Sequence, residues 1–319
     1  MKLSNAIGGY FGLETRNGVS YHKDGISLDS GRNCLKYILE LRKYNHIYIP
    51  YYTCDAVMEP LKQLDIAYEF YSIDDHFELI KTPEINDGNA LLYINYFGLK
   101  SDYVKKLSGI VSNLIVDAVQ AFFFKPIRGI DTFYSPRKFF GVPDGGYVYS
   151  EKKLSGNLPE DFSITRFSHL LQRIDESAEQ GYENFLNNER SFSGKPIRKM
   201  SKLTKVLMDS IDYDFCQNKR NENFRYLHEH LKDKNEIKWI DQVDLNGPMV
   251  YPFLSKKNGL REKLIKNRIY VAAYWPNLSD LINKNSFEAE LYENLLPLPI
   301  DQRYGREEMD FIVEKILEK

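Results

Sequence analysis

The spacing of apolar and polar residues over the first 150 positions predicts short strands that alternate with helices. Residues 30–43 carry an apolar stripe at helical spacing, and Ser30 can cap the first turn of that helix. A second helix is predicted at 54–64. Runs rich in β-branched and aromatic residues predict strands at 47–52, 67–73, 90–97, 114–119, 131–135 and 146–150. This alternation is typical of a mostly parallel sheet covered by helices, and such sheets bind ligands where their strands end.

The second half of the chain is more polar, and its pattern of apolar and polar residues changes twice. Residues 151–198 contain no strand signal and favour helices. Beyond them, apolar periodicity predicts helices at 200–211, 220–231 and 307–319, and strands at 249–254 and 269–274. We therefore predict a large α/β domain over residues 1–220 and a smaller C-terminal α/β domain over residues 221–319.

Composition and charge exclude several classes of protein. Hydrophobic residues make up 43% and charged residues 28% of the chain, which is typical of a globular protein. The net charge of −2 offers no basic field for nucleic acid, and no apolar run is long enough to span a membrane. Residues 1–5 lack the apolar core of a signal peptide, so we expect a cytoplasmic protein without a nucleic-acid or membrane partner.

Neither disulfide nor metal chemistry is indicated. The cysteines, Cys34, Cys54 and Cys216, are widely spaced and suit neither a disulfide framework nor zinc binding. The six histidines form no metal-ligand pattern. We expect reduced, mostly buried cysteines and no metal site.

The turn before the first predicted helix has the composition of an anion site. Ser30, Gly31 and Arg32 stand where free backbone N–H groups and the helix dipole favour a negative charge. Gly31 allows close approach of the backbone, while Ser30 and Arg32 add a hydroxyl donor and a positive charge. The same residues also suit an ordinary helix cap with glycine in the turn.

Two further polar groups follow later strands. Asp117 ends the buried-looking run at 114–116, where a desolvated carboxylate needs a cationic partner such as a protonated ring nitrogen. An aspartate that caps the next turn is the alternative. Lys138 lies in an apolar, glycine-bounded loop three residues after Ser135, where desolvation would favour the neutral amine that attacks carbonyls. A surface lysine beside the diglycine turn at 145–146 is the alternative here.

An anion site, an acid at a strand end and a lysine, in that order, can hold a phosphate, protonate a pyridine ring and form a Schiff base. Those are the three attachments of pyridoxal phosphate. From about residue 25 onward, the chain resembles the DegT/DnrJ/EryC1/StrS sugar aminotransferases, within the fold-type I pyridoxal-phosphate enzymes. The segments that carry this resemblance are Ser-Gly-Arg at 30–32, Pro-Tyr-Tyr-Thr at 50–53, Asp-Ala-Val-Gln-Ala at 117–121, Lys138 with Gly145 and Gly146, and Leu-Pro-Leu-Pro at 296–299.

Some positions depart from the family pattern. Arg32 replaces a threonine, Asp144 replaces the glutamate before the paired glycines, and Ser135 lies three rather than five residues before the lysine. Cys54 stands where the family often stacks an aromatic ring on the cofactor. Tyr52 is a candidate to replace that ring.

The resemblance implies a fold-type I α/β fold, with a mostly parallel sheet covered by helices and a smaller C-terminal α/β domain, and pyridoxal 5′-phosphate as cofactor. It implies that Lys138 carries the cofactor and moves protons, that Asp117 keeps the pyridine nitrogen protonated, and that Gln120 lies near the ring's phenolic oxygen. The phosphate candidates are Ser30, Gly31, Arg32 and Ser135.

The reaction implied by the resemblance moves an amino group from glutamate to a keto sugar carried on a nucleotide, so two small-molecule substrates are expected. A homodimer is also implied, because residues 197–201 resemble the segment that family members present to the neighbouring site. Two alternatives stay open: a non-catalytic relative that serves as a binding or assembly subunit, and a pyridoxal-phosphate enzyme with a non-sugar substrate. The family's dehydratases replace the lysine by histidine, so Lys138 argues against dehydration.

Overall fold

A seven-stranded sheet forms the centre of the first 150 residues in the computed structural model, which describes residues 7–275, 278 and 281–318. Its strands are β1 (Ile26–Leu28), β2 (His46–Pro50), β3 (Ala67–Tyr71), β4 (Asn89–Ile94), β5 (Leu114–Asp117), β6 (Asp131–Tyr134) and β7 (Gly146–Tyr149). They lie in the order β1-β7-β6-β5-β4-β2-β3. Strand β7 is antiparallel to both of its neighbours, and the other pairs are parallel.

Helices pack against this sheet and supply most of the regular secondary structure beyond residue 150 that the structure describes. They are α1 (Gly31–Arg42), α2 (Asp55–Gln63), α3 (Ser101–Ser108), α4 (Ser168–Asp175), α5 (Tyr182–Arg190), α6 (Lys202–Asp209), α7 (Tyr213–Leu231), α8 (Leu260–Lys266), α9 (Phe287–Asn294) and α10 (Arg306–Leu317). None of the described helices is both long and apolar enough to cross a membrane. A second, two-stranded antiparallel sheet pairs β8 (Val250–Leu254) with β9 (Leu295–Pro299).

The central strands of the parallel part of the sheet are buried. All four residues of β5 are buried, and so are the last five of β4. Continuous apolar runs of this kind are characteristic of parallel strands. At the start of α1, the Ser30 side chain accepts the Asn33 N–H over 3.2 Å, which confirms the predicted cap.

One predicted strand is wrong. Residues 269–274 form no strand with any part of the chain that the structure describes. Burial does alternate at the start of this segment: Ile269 and Val271 are buried, while Tyr270 is half exposed. The partner of β8 is instead β9, a Leu-Leu-Pro-Leu-Pro strand that the sequence does not predict, because proline usually argues against strand pairing. Proline is tolerated in such a ribbon, because each of the two strands has one edge without a partner strand. A residue that lacks an N–H on that edge loses no hydrogen bond.

The predicted division at residues 220 and 221 falls inside α7, which runs unbroken from Tyr213 to Leu231. The two-domain description therefore stays a prediction. Elements after α7 pack as one group, with α10 against α7 and α8 and the β8–β9 ribbon beside them. This group supplies one wall of the cavity described next.

Candidate active site

A cavity of about 140 Å³ opens where β4, β5 and β6 end and where α1 begins. Strand ends and helix N-termini meet on this side of a parallel sheet, so polar residues far apart in the chain converge there. The cavity wall includes every site residue predicted from the sequence: Ser30, Gly31, Arg32, Asp117, Gln120, Ser135 and Lys138. Their chemical roles stay predictions.

The predicted anion site occupies one end of this cavity. A Cβ atom on Gly31 would lie 3.4 Å from the Val119 side chain and 3.8 Å from the Ser135 Cβ atom. The turn before α1, the segment after β5 and the residue after β6 therefore meet at Gly31. Backbone N–H groups in the first turn of α1 and the Ser135 hydroxyl are thus close enough to bind one phosphate together.

Asp117 ends β5 and is buried at the cavity wall. Its Oδ1 atom accepts the N–H of Val119 over 2.9 Å. Burial raises the pKa of the Asp117 carboxyl to about 7, although the Val119 hydrogen bond and the charge of Lys138 oppose that shift. A positively charged ligand atom beside this carboxyl would therefore stabilise its ionised form.

Lys138 lies in a short 3₁₀ turn, Pro136–Lys138, that follows β6. The sequence predicted a desolvated lysine in an apolar loop, and this is wrong for the single chain because Lys138 is exposed. The next two residues explain the difference. Phe139 and Phe140 are buried against Phe122, with ring centroids 5.8 and 4.9 Å from its own. They take the apolar side of the loop, which leaves Lys138 at the cavity opening.

Gln120 is buried and lines the cavity. Its side-chain Oε1 accepts the backbone N–H of Phe97 over 2.9 Å. This bond fixes the orientation of the amide, so the group that Gln120 can offer a ligand is its N–H₂ donor. That geometry suits a ligand oxygen.

The aromatic residues at the far wall of the cavity differ from the prediction, which made Tyr52 the candidate to stack on the cofactor. Tyr52 is fully buried and does not reach the cavity, and its ring packs edge-on against Trp275 with centroids 4.6 Å apart. The aromatic residues that do line the cavity are Phe133, Phe192, Tyr274 and Trp275. Cys54 lies there too, and burial raises the pKa of its thiol to about 11, so the thiol is neutral near pH 7. All three cysteines are free, as expected.

The cavity residues missed by sequence reasoning include Arg137, Glu189 and Phe192. Arg137 had a signal, since it directly precedes Lys138. Glu189 and Phe192 had none, because they come from α5 and the turn after it, in a polar stretch without a motif. Only the folded chain brings that stretch to the cavity.

The paired glycines hold α1 against the Lys138 loop. The Gly145 N–H donates to the carbonyl oxygen of Asp29 over 2.6 Å. A Cβ atom on Gly146 would lie 2.5 Å from the Cys34 Sγ atom and 2.8 Å from the Ser30 carbonyl oxygen. No side chain fits at that distance, so glycine at position 146 lets β7 approach the anion site closely.

The acid before these glycines anchors residues 198–201, part of the segment that resembles the one family members present to a neighbouring site. Asp144 is buried and accepts the backbone N–H of Ser201 over 2.9 Å, its hydroxyl over 2.8 Å, and the hydroxyl of Thr204. The Met200 N–H donates to the carbonyl oxygen of Ser27 over 3.2 Å. Residues 198–201 are thus bound to their own chain.

No protein-family model matches the sequence, and no curated protein does either. Solved structures match the fold over most of the chain. DesV of S. venezuelae, solved with a ketimine intermediate, superposes with a TM-score of 0.63 at 14% identity, covering 92% of this chain and 83% of its own. A DegT DnrJ EryC1 StrS aminotransferase from Brucella abortus has a TM-score of 0.61 at 15% identity, with 91% and 84% covered. This chain has the fold of the sugar aminotransferases.

The same fold also serves a related reaction. An E. coli GDP-4-keto-6-deoxy-D-mannose-3-dehydratase, solved with bound hydrated pyridoxal phosphate, matches with a TM-score of 0.61 at 15% identity, covering 91% of this chain and 87% of its own. The predicted fold class, a fold-type I α/β architecture, is confirmed by these structures together with the seven-stranded sheet. The chemistry of this chain has to be argued from its own residues.

Proposed function

We propose that this protein is a pyridoxal-phosphate-dependent aminotransferase that moves an amino group from glutamate to a nucleotide-linked keto sugar. The observation that carries the proposal is the joint placement of Lys138, Asp117 and the N-terminus of α1 around one cavity. Neighbours of the same fold include aminotransferases and a dehydratase. The family resemblance gives dehydratases a histidine in place of the lysine, so Lys138 favours amino transfer.

The residues present fit pyridoxal phosphate. Gly31 and Ser135 lie side by side at a helix N-terminus, where a phosphate is stabilised. Asp117 is a buried carboxyl with a raised pKa that a protonated ring nitrogen would ionise. Gln120 directs donors into the same space, which suits the ring's phenolic oxygen.

Each residue then has one task. When bound, pyridoxal phosphate supplies an electrophilic carbonyl and an electron sink. Lys138 would hold the cofactor through Nζ. The free Nζ amine would be the base that moves a proton from the amine-bearing carbon of the donor to the cofactor carbon. Asp117 keeps its negative charge beside the ring nitrogen, and the Ser30–Gly31–Arg32 turn with Ser135 holds the phosphate in place.

The test is the visible absorbance of the purified chain with added pyridoxal phosphate. We expect an absorbance band of the lysine-bound cofactor, and glutamate should convert it to the pyridoxamine form. A colourless protein that binds no cofactor would contradict the proposal and leave the binding-subunit alternative. A coloured protein that ignores glutamate but responds to another amine would retain the chemistry and change the donor.

We also propose that the active form is a homodimer. Apolar side chains are exposed on and before α4: Phe162, Ile164 and Ile174 are each about 80% exposed. The N-terminal arm exposes Tyr10 and Phe11 almost completely. A second copy that covered these surfaces would remove this apolar area from water.

Light scattering at micromolar concentration tests the dimer. We expect a dimer whose activity falls on dilution and returns on concentration. The Ile174→Lys variant should weaken assembly, while Ile80→Lys, at an exposed position before β4, should not. A monomer with full turnover would contradict this part of the proposal.

A further inference from the structure

The carboxylate of Glu189 lies among three cations at the opening of the cavity. Its Oε1 atom forms an ion pair with Arg137 Nη2. Its backbone carbonyl oxygen accepts from Arg32 Nη1 over 3.5 Å. Burial opposes the ionisation of Glu189, but Arg137, Lys138 and Arg32 together outweigh it and hold the pKa of this carboxyl below its ordinary value. An internal carboxylate therefore neutralises part of the positive charge of these side chains.

Arg137 is arranged to bind more than this one oxygen. Its side chain is 13% exposed, and the guanidinium carbon lies 4.6 Å from the Phe192 ring centroid. Phe192 covers one face of the guanidinium and leaves its N–H edge for hydrogen bonds. The buried Nε atom has no hydrogen-bond partner among the residues that the structure describes. A carboxylate that bridged Nε and Nη2 would satisfy both donors, whereas Glu189 contacts only Nη2.

Arg32 supplies a second guanidinium at the same opening. Its Nε atom lies 3.5 Å from Glu59 Oε2 on α2, and that carboxylate also accepts the Gly194 N–H over 2.5 Å. The first contact joins α1 to α2, and the second ties the turn after α5 to α2. Glu189 itself is about one-third exposed, so its side chain can rotate into solvent without moving α5.

We propose that Arg137, assisted by Arg32, is a subsite for an oxyanion group of the substrate, and that Glu189 occupies this subsite until substrate displaces it. The ligand chemistry is a carboxylate, as on an amino-acid donor, or a diphosphate, as on a nucleotide sugar. This subsite shares Arg32 with the phosphate turn but does not use Gly31 or Ser135, and it rests on the proposed aminotransferase function. Glu189 lowers the affinity for substrate while it shields the cavity's positive charge.

The test measures binding of unreactive anions to the full chain, with and without pyridoxal phosphate, by calorimetry. The probes are glutarate for a carboxylate, uridine diphosphate for a diphosphate, and inorganic phosphate for a small anion. Glu189→Gln removes the competing charge and keeps the size, so glutarate or uridine diphosphate should bind about tenfold more tightly. The probe that responds identifies which substrate group uses the subsite.

A matched control lies on the same helix. Glu183 pairs with Arg190 at the surface, where both side chains are about two-thirds exposed, so Glu183→Gln should leave affinity unchanged. Arg137→Gln should weaken binding about tenfold and abolish the gain from Glu189→Gln in the double variant. Arg137→Lys keeps the positive charge but lacks the paired N–H donors of a guanidinium, so it should recover only part of the affinity. Circular dichroism confirms that each variant is folded.

Two results would overturn the subsite. Equal affinities in Glu189→Gln and Glu183→Gln would show that Glu189 does not compete with ligand. Weaker binding of pyridoxal phosphate, but not of pyridoxal, in Arg137→Gln, with both substrate probes unaffected, would assign Arg137 to the cofactor phosphate instead. Failure of the aminotransferase proposal looks different: the wild-type chain then binds no cofactor, whatever the anion affinities of its variants.

Discussion

The Arg220 guanidinium donates from Nη2 to the carbonyl oxygen of Phe139, the residue after Lys138, over 3.2 Å. Arg220 is 1% exposed, and its Nη1 donates to the carbonyl oxygens of Pro248 and Met249 over 3.1 Å each. Burial lowers its pKa to about 10, so it keeps its charge near neutral pH. One buried side chain on α7 thus holds the Lys138 loop against the C-terminal part of the cavity wall.

We expect Arg220→Met to destabilise the protein. The carbonyl oxygens of Pro248 and Met249 would lose their donor in a buried place, and each such loss costs about 1–3 kcal/mol. Urea unfolding should therefore show a loss of roughly 2–5 kcal/mol. Arg225→Met, at an exposed position on the same helix, is the control and should change little. Equal stability of the two variants would mean that Arg220 does not hold the loop.

Lys138→Ala should abolish the visible absorbance band of the lysine-bound cofactor, because no other described lysine lines the cavity. Pyridoxal phosphate should still bind through the phosphate and ring contacts, with lower affinity, and turnover should stop. Lys152→Ala, at an exposed position after β7, should keep both band and turnover. A Lys138→Ala protein with the band intact would show that another lysine carries the cofactor.

Asp117→Asn should keep the absorbance band and lose rate. The change preserves size but removes the charge that stabilises a protonated ring nitrogen. A charge-assisted hydrogen bond in a desolvated site is worth about 1.5–3 kcal/mol, so we expect a loss of turnover of roughly ten- to hundredfold or more. Single-turnover kinetics with glutamate would locate this loss in the amino-donor half of the reaction. Unchanged kinetics would remove Asp117 from the proposed chemistry.

Asp117 should also make the stability of the cofactor-free protein depend on pH. Its carboxyl has a pKa of about 7 in the folded chain and 3.8 unfolded. The protonated group therefore contributes fully below about pH 4, and this contribution is lost as pH rises through about 7. The total is up to about 4 kcal/mol. Urea unfolding of wild type and Asp117→Asn from pH 4 to 8 should show the variant gaining relative stability as pH rises. A difference that is constant with pH would contradict the raised pKa.

Gly146→Ala should distort the anion site, because β7 packs closely against the N-terminus of α1. The new methyl group would overlap the Cys34 sulfur and the Ser30 carbonyl oxygen, and such overpacking costs about 1–3 kcal/mol. We expect lower thermal stability and weaker binding of pyridoxal phosphate. Gly12→Ala meets no atom within 4 Å and is the matched control. If both variants behaved alike, the close approach of β7 to α1 would have no functional consequence.

Much of the sheet could be predicted without the structure, and the seven residues predicted for the site all line the cavity described above, while their roles stay predictions. The anion turn, the acid at the end of β5 and the lysine after β6 each depend on residues within one turn or strand, and the parallel topology brings strand ends together. The exposed state of Lys138 could not be predicted in this way. It depends on which side of the loop Phe139 and Phe140 occupy, and Phe122, far from them in the turn after β5, decides that.

The sequence by itself determined the elements whose causes are local: the Ser30 cap, the buried runs of β4 and β5, and the spacing of Lys138 to the paired glycines. Only the tertiary structure decided which remote segments complete the cavity. Glu189 meets Arg137 across 52 positions, and Arg220 meets Phe139 across 81. Among the described residues it also left 269–274 without a strand partner, and it paired β8 with β9. Such contacts depend on how whole faces of helices and sheets pack, and a local pattern of apolar and polar residues does not encode that choice.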